Sequence, residues 1–248
     1  QVFNLAQKGD ESLALRPELT PAITRMFIAK QKELSKPVKW YYLTRMWRYE
    51  APQKGRLREF YQFGVEIFGS DKPEADAECI ALAIDSLLAL GLTKNDFKIK
   101  LNNRKLLQGL IESCNIDEKT IPEVIRLIDK SRKITDKELI EELARLKLSL
   151  EQVKDIRKII GTKDITGLLG LNETAAAGLK EIKAVMNILK DYGKDKFVEI
   201  DLSTARGLAY YTGTVFEAFD KDEKIRSLLG GGRYDDPVSY THLTLPTN

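Results

Sequence analysis

Val38-Lys-Trp-Tyr-Tyr-Leu-Thr-Arg-Met-Trp-Arg-Tyr-Glu-Ala-Pro-Gln-Lys-Gly-Arg-Leu-Arg-Glu-Phe-Tyr-Gln-Phe-Gly-Val-Glu-Ile-Phe68 contains two runs, Val38 to Trp47 and Phe60 to Phe68, rich in aromatic and β-branched residues with polar residues interleaved. Such runs predict two antiparallel strands. The charged stretch Arg48 to Glu59, which carries Gly55, predicts a long basic loop between them. Period two in the second run sets Tyr61, Phe63, Val65 and Ile67 on one face, the expected core, and Phe60, Gln62, Gly64, Glu66 and Phe68 on the other. That second face presents an amide, a missing side chain and a carboxylate in a row. It packs poorly but makes a floor for a polar ligand that must come close to the backbone. A half-exposed strand with its polar side in water is the competing reading.

The loop bears on that choice. Arg45, Arg48, Lys54, Arg56 and Arg58 put five cations within fourteen residues. Planar guanidinium groups hold phosphate oxygens in paired, charge-assisted bonds, and Phe60 offers a face on which a base can stack. ATP fits this combination; a solvated basic loop is the plainer alternative.

Working outward, Thr20 to Leu34 has apolar residues at helical spacing and starts at Thr20-Pro21, a cap followed by proline. Glu74 to Leu90 is helical and stops at Gly91, and Phe97 to Leu101 is a short strand. From Asn103 to about Gly193 the pattern becomes short helices, with capping boxes expected at Thr120-Ile-Pro-Glu123, Thr135-Asp-Lys-Glu138 and Ser149-Leu-Glu-Gln152. Phe197 to Leu202, Tyr210 to Phe219 and Ile225 to Leu229 restore strand character, which implies that the chain returns to the first sheet. The expected fold class is α+β: an antiparallel sheet flanked by helices with an inserted all-helical module. The expected boundaries are 1–102 for the first part of a core, 103–195 for the helical module, 196–236 for the second part and 237–248 for a non-native tail.

Bulk composition narrows the function classes. The 248 residues are 43% hydrophobic and 31% charged, ordinary for a globule that buries a core. No run approaches the roughly 20 apolar residues of a membrane helix and no charged-then-apolar leader opens the chain, so the cytoplasm is the expected compartment. Cys79 and Cys114 stand 35 positions apart and suit neither a zinc site nor a disulfide framework, so no metal site is expected. The net charge of +3 is compatible with a nucleic-acid partner without requiring one. The chain starts at Gln1, inside what reads as a domain, and its only histidine, His242, falls in the tail, where no function is expected of it.

Arg48-Tyr-Glu-Ala-Pro-Gln-Lys-Gly-Arg-Leu-Arg-Glu-Phe-Tyr-Gln-Phe-Gly-Val-Glu-Ile-Phe-Gly69 closely resembles motif 2 of the histidyl-tRNA synthetases, a class II family. Leu15-Arg-Pro-Glu-Leu-Thr20 resembles the family's amino-group-binding loop. Arg206-Gly-Leu-Ala-Tyr-Tyr-Thr-Gly-Thr-Val-Phe-Glu217 and Gly230-Gly-Gly-Arg-Tyr-Asp235 resemble two signatures of its histidine-specific members. The resemblance covers residues 1 to about 236, tightly in these blocks and loosely in the helical module, which corresponds to the family's insertion domain beside the tRNA acceptor arm.

The resemblance implies a class II synthetase fold and a ligase that joins L-histidine to ATP, with Mg2+, as histidyl-adenylate and then transfers histidine to tRNA(His). It implies that Glu18, Leu19 and Thr20 hold the α-amino group, that Gln62, Glu66, Tyr210 and Tyr211 line the histidine site, and that Glu66 and Tyr211 bond the imidazole nitrogens. A ring without N–H groups would leave such buried partners unpaired. Arg48 and Arg206 would grip the α-phosphate and the substrate carboxylate as the catalytic pair, so catalysis is electrostatic and positional. Glu50, Arg56 and Phe60 would complete the ATP side. Ala209 stands where many members have aspartate and puts one supporting contact in doubt. Motif 1, which builds the family's homodimer, is expected before Gln1, and motif 3 with the anticodon-binding domain after Asp236, so these residues alone are expected to bind ATP poorly. Two rivals share the resemblance: the histidine-sensing regulatory subunit of ATP phosphoribosyltransferase, expected to lose the arginines, and a tRNA-sensing synthetase-like domain of a kinase.

Overall fold

The structure, a computed structural model, describes residues 2–5, 13–51, 55–165, 167–168, 170–205, 211–223 and 225–235. They fall into two compact units that meet in sequence between Asp71 and Lys72.

In the first unit helix α1 (Thr20–Lys30) precedes strands β1 (Val38–Trp47) and β2 (Glu59–Phe68), which pair antiparallel from Val38↔Phe68 to Trp47↔Glu59. The strands lie where the alternation predicts them. The helix stops short of Leu34 and begins differently: Leu19 is the N-cap, Thr20 is already helical, and its hydroxyl donates to Glu66 Oε1 (2.6 Å) instead of capping. Pro21 still sits in the first turn, where its missing N–H costs nothing.

The assignment of strand faces is reversed. Tyr61 and Phe63, read as core, are 64% and 51% exposed, whereas Glu66 on the supposed ligand floor is only 7% exposed. The reason is α1, whose Phe27 stacks on Phe68 at 4.4 Å and meets Trp40 edge-on at 6.5 Å, so the core forms on the Phe68 side. Burying side chains of this size contributes roughly 1.5–3 kcal/mol each.

The second unit contains helix α2 (Pro73–Ala89) and strand β3 (Phe97–Asn103), then helices α3 (Arg104–Glu112), α4 (Ile121–Lys130), α5 (Asp136–Arg145), α6 (Leu150–Gly161) and α7 (Glu173–Asp191). Strands β4 (Val198–Ile200), β5 (Thr214–Asp220) and β6 (Leu229–Gly232) follow, and the sheet order is β4-β3-β5-β6. The fold is α+β, as expected, but the returning strands pair with β3, not with the β1–β2 sheet, and β3 runs parallel to β4. A parallel pair needs a long crossover, and α3 to α7 supply it.

The helices serve two apolar cores. Leu106 of α3 with Ile182, Val185 and Leu189 of α7 pack with α2 and the odd-numbered residues of β3. Leu107 and Ile111, on the other side of α3, pack with Val124 and Ile128 of α4, Leu143 of α5 and Ile156 of α6. Capping boxes form at Thr135–Glu138 and Ser149–Gln152. The box expected at Thr120 does not: Thr120 is itself in helical conformation, donates its N–H back to Asp117, and cannot aim its hydroxyl at the first turn.

Four glycines, two in β6 and two between α3 and α7, set close approaches. β6 is the run Leu229–Gly232 rather than Ile225 to Leu229; a Cβ on Gly231 would lie 2.9 Å from Phe216 Cζ and one on Gly232 2.7 Å from the Thr214 carbonyl. The glycine run is therefore a strand and not a turn, because only a bare backbone fits over those neighbours. Between α3 and α7, a Cβ on Gly178 would stand 2.2 Å from Leu106 N and one on Gly109 2.4 Å from Ala175 N. Alanine gains about 1 kcal/mol of helix propensity over glycine, but the clash is with backbone and overpacking costs about 1–3 kcal/mol. Gly178→Ala is expected to lower the urea midpoint of the full-length protein; an unchanged or raised midpoint would show that α3 and α7 are not in this close contact.

Candidate active site

The first unit builds a polar well on the covered face of β1 and β2. Register places Tyr42 opposite Gly64, Thr44 opposite Gln62 and Trp40 opposite Glu66. A Cβ on Gly64 would fall 2.2 Å from Tyr42 Cζ, so the tyrosine ring lies directly over the glycine backbone. The missing side chain is thus used first by a neighbour within the protein.

Arg48, at the end of β1, organises the well. Its Nε donates to the Pro17 carbonyl (2.9 Å), and its Nη2 donates to Glu18 Oε2 (3.2 Å) and Gln62 Oε1 (3.1 Å). Gln62 Nε2 donates in turn to Glu18 Oε1 (3.0 Å) and the Tyr42 hydroxyl (3.2 Å), and Tyr42 donates to Glu18 Oε1 at 3.3 Å. The Arg48 guanidinium sits 5.0 Å from the Phe60 ring centroid, a cation–π contact that keeps the planar fork in place. Beside this network Glu66 accepts from Thr20. Burial, with the charges of Glu18 and Glu66 adding to it against the Gln62 hydrogen bond, pushes the Tyr42 phenol up to about 12, so it stays a proton donor at neutral pH.

The structure therefore brings together six sequence-predicted residues, Glu18, Thr20, Arg48, Phe60, Gln62 and Glu66. Leu19 joins them through its N–H, which donates to Glu18 Oε1 at 2.9 Å. Tyr42 was missed by the sequence reading. Its signal was available: strand alternation across the hairpin puts an aromatic on the same face as Gly64, and a glycine on a strand invites a neighbour to cover it. Glu50 and Arg56 form an ion pair with each other in the loop, and the Arg58 guanidinium lies over Tyr49. Arg206, Tyr210 and His242 lie outside the described residues. Tyr211 is buried in the second unit, where it packs beside Gly232. There Arg233, in the Gly230 to Asp235 segment, pairs with Asp76 of α2 at 2.9 Å, both largely buried.

A well with one fixed guanidinium, two carboxylates, an amide and un-ionised hydroxyls can receive a ligand carrying both anionic and N–H donor groups. Among the described residues no cluster of three or more His, Cys, Asp or Glu could hold a metal, and no helix is long and apolar enough to cross a membrane.

A sequence profile of the histidyl-tRNA synthetases matches residues 1–242. The chain belongs to the histidyl-tRNA synthetase family. It is 44% identical to a histidine–tRNA ligase of Haloarcula marismortui over 247 residues, covering 96% of this chain and 56% of the relative. Among solved structures it is similar to a histidyl-tRNA synthetase from Nostoc sp. PCC 7120, with TM-score 0.81, 28% identity and coverage of 94% and 56%. It is also similar to a Bacillus halodurans C protein described as an ATP phosphoribosyltransferase regulatory subunit/histidyl-tRNA synthetase, with TM-score 0.82, 27% identity and coverage of 98% and 63%. The chain thus spans 56% of the length of the Haloarcula relative.

A phenol raised above its usual 10 keeps its folded-state stabilisation below pH 10 and loses it between pH 10 and about 12, as the unfolded chain ionises first. Ultraviolet titration should show the same number of tyrosines ionising near pH 10 in the native protein as in Tyr42→Phe, with the native protein's additional tyrosine ionising only towards pH 12. Equal titration of all tyrosines near pH 10 would mean that Tyr42 is not held in this network.

Proposed function

We propose that the protein activates L-histidine with ATP, as its magnesium complex, to histidyl-adenylate and transfers the histidyl group to tRNA(His), acting in the cytoplasm as a homodimer. The observation that carries this reading is the pair of carboxylates, Glu18 and Glu66, set on one covered face with Arg48 bonded to the first of them. An ammonium of three donors is matched by Glu18 together with the Thr20 hydroxyl, whose oxygen still has lone pairs to offer. An imidazole N–H is matched by Glu66, and a ring lacking it would leave that buried carboxylate without a ligand partner. Gln62 holds Glu18 in place through its Nε2.

Arg48 is the only cation bonded within the described network, and its fork suits the substrate carboxylate and the α-phosphate together. As the carboxylate oxygen attacks α-phosphorus and pyrophosphate leaves, negative charge grows on the equatorial oxygens, and a guanidinium already fixed by Pro17 and Phe60 meets it without reorganising. Arg206 keeps the second phosphate role that the resemblance implies. Phe60 offers its ring to the adenine, while Arg56 exchanges Glu50 for the outer phosphates. The helical stretch from α3 to α6 takes the tRNA acceptor arm.

Histidine-dependent ATP–pyrophosphate exchange by the full-length protein tests this reading. Glu66→Gln should raise the KM for histidine by about 10- to 100-fold, the consequence of about 1–3 kcal/mol lost at one buried polar contact. Arg48→Ala should lower kcat by about 100-fold or more. Histidine binding with no exchange would replace the ligase reading with the regulatory-subunit reading that the description of the Bacillus halodurans protein also names.

A further inference from the structure

The even-numbered face of β3 is buried yet polar. It carries Lys100 and Asn102 against the segment Asp201–Ala205, whose five residues are all buried. This strap is held from several sides. Asp201 N donates to the Leu101 carbonyl (3.0 Å), and Asn102 Nδ2 donates to the carbonyls of Leu202 (3.1 Å) and Thr204 (3.0 Å). Asp201 Oδ1 accepts from the Ser203 N–H (3.0 Å) and hydroxyl (2.5 Å).

The helical stretch supplies the remaining ties. Arg132, in the short 3-10 segment Ser131–Lys133 after α4, donates through Nη2 to Asp201 Oδ2 (2.7 Å) and Thr204 Oγ1 (3.0 Å), and through Nε to Ser203 Oγ (3.0 Å). Its guanidinium lies 4.8 Å from the Phe219 ring centroid of β5. Lys163, after α6, donates to Asp201 Oδ2 at 3.0 Å. Ala205 packs into the apolar core formed by α3 to α6. The next residue in the chain is Arg206.

The cluster is not arranged as a ligand site. Lys100, Arg132 and Lys163 face Asp201, Glu199 and Glu223, so three cations meet three carboxylates and no surplus charge remains to draw an anion. Its geometry is that of a clamp: one planar fork spanning three consecutive side-chain anchors of a buried strap, Asp201, Ser203 and Thr204, with Leu202 between them fixed through its carbonyl. We propose that Arg132 is a positioning residue for the reaction, by which the helical segment between β3 and β4 fixes the strap Asp201–Ala205 and so sets the point from which Arg206 departs. This rests on the ligase reading, in which Arg206 serves the α-phosphate. Burial by itself would raise the Asp201 carboxyl, but the Ser203 hydrogen bond, Arg132 and Lys163 outweigh it and hold the group at about 2, so Asp201 is a carboxylate at neutral pH.

The physical consequence is a coupling between the helical segment and the phosphate-binding arginine. A misplacement of about 1 Å in a group that must meet a transition state costs as much as about 100-fold in rate. Lysine cannot replace Arg132 in this role, because a single ammonium does not reproduce a fork that bonds three oxygens.

A double-mutant cycle in the full-length protein tests the proposal. Arg132→Met should lower kcat for histidine-dependent exchange about 10- to 100-fold per folded molecule, with the KM for histidine within about threefold of the parent, and Arg132→Lys should recover little of it. In an Arg206→Ala background the same Arg132→Met change should have no further effect on kcat, because the arginine it positions is gone. Equal losses in both backgrounds, or an unchanged kcat in Arg132→Met, would overturn it. If Arg132→Met does not fold, Thr204→Val removes one bond of the clamp and carries the same cycle. Absence of exchange in the parent protein would instead refute the ligase reading itself, whereas parental kcat in Arg206→Ala would remove Arg206 from the mechanism and the clamp's role with it.

Discussion

One register holds the candidate site together: Tyr42 lies opposite Gly64 on the hairpin of β1 and β2. With no side chain at 64, the tyrosine ring lies flat on the strand and brings its hydroxyl to Glu18 and Gln62. A slip of one residue would turn every one of these groups to the opposite face, because the side-chain period of a strand is two. Arg48 then finds two side-chain acceptors at hand, and Glu18 finds four donors: Arg48, Gln62, Tyr42 and the Leu19 N–H. The carboxylates stay tolerable on a covered face because each is hydrogen-bonded; unpaired, such groups would cost several kcal/mol. The same arrangement gives a ligand fixed charges to meet, so the bonds that stabilise the well also pre-organise it.

The second unit solves a related problem on β3. Its Phe97, Ile99 and Leu101 lie under α2 and α7, while Lys100 and Asn102 on the other side are covered by the strap and by Arg132. A buried lysine next to a buried aspartate is weak support for stability, since desolvation offsets most of the attraction. It is a strong constraint on geometry, because every partner must be in place at once. The glycines at 109 and 178 let α7 lie close on α3, and Asn103 caps α3 from the end of the same strand. The strap is therefore specified by elements distant from it in sequence.

Much of this was legible beforehand. Alternation located both hairpin strands to within a residue, Pro21 marked the first turn of α1 and Gly91 the end of α2, and the boxes at Thr135 and Ser149 formed as written. Local chemistry decides such features, so local sequence reveals them. Errors arose where two local rules conflicted or where a partner came from elsewhere. Thr20 has the residue type of a cap, but the carboxylate of Glu66 competes for its hydroxyl and wins. The strand expected at Ile225 to Leu229 forms instead at Leu229–Gly232, where Phe216 and Tyr211 lie against bare glycine backbone. Tyr61 and Phe63 look like core by polarity alone, and only the position of α1 shows that the core is on the opposite face.

The sequence by itself determined most of the elements, the α+β class and the family, and through that resemblance it named Glu18, Arg48, Gln62 and Glu66 as site residues, because residue type, period and motif spacing are properties of short stretches. Tertiary structure alone decided which face of the hairpin is covered, that Tyr42 joins the site, that β3 is flanked by one parallel and one antiparallel neighbour, and that Arg132 grips the strap before Arg206. Those are choices among partners far apart in the chain. They are settled by which packing buries apolar area while leaving each buried polar group a partner, a condition that no single segment contains.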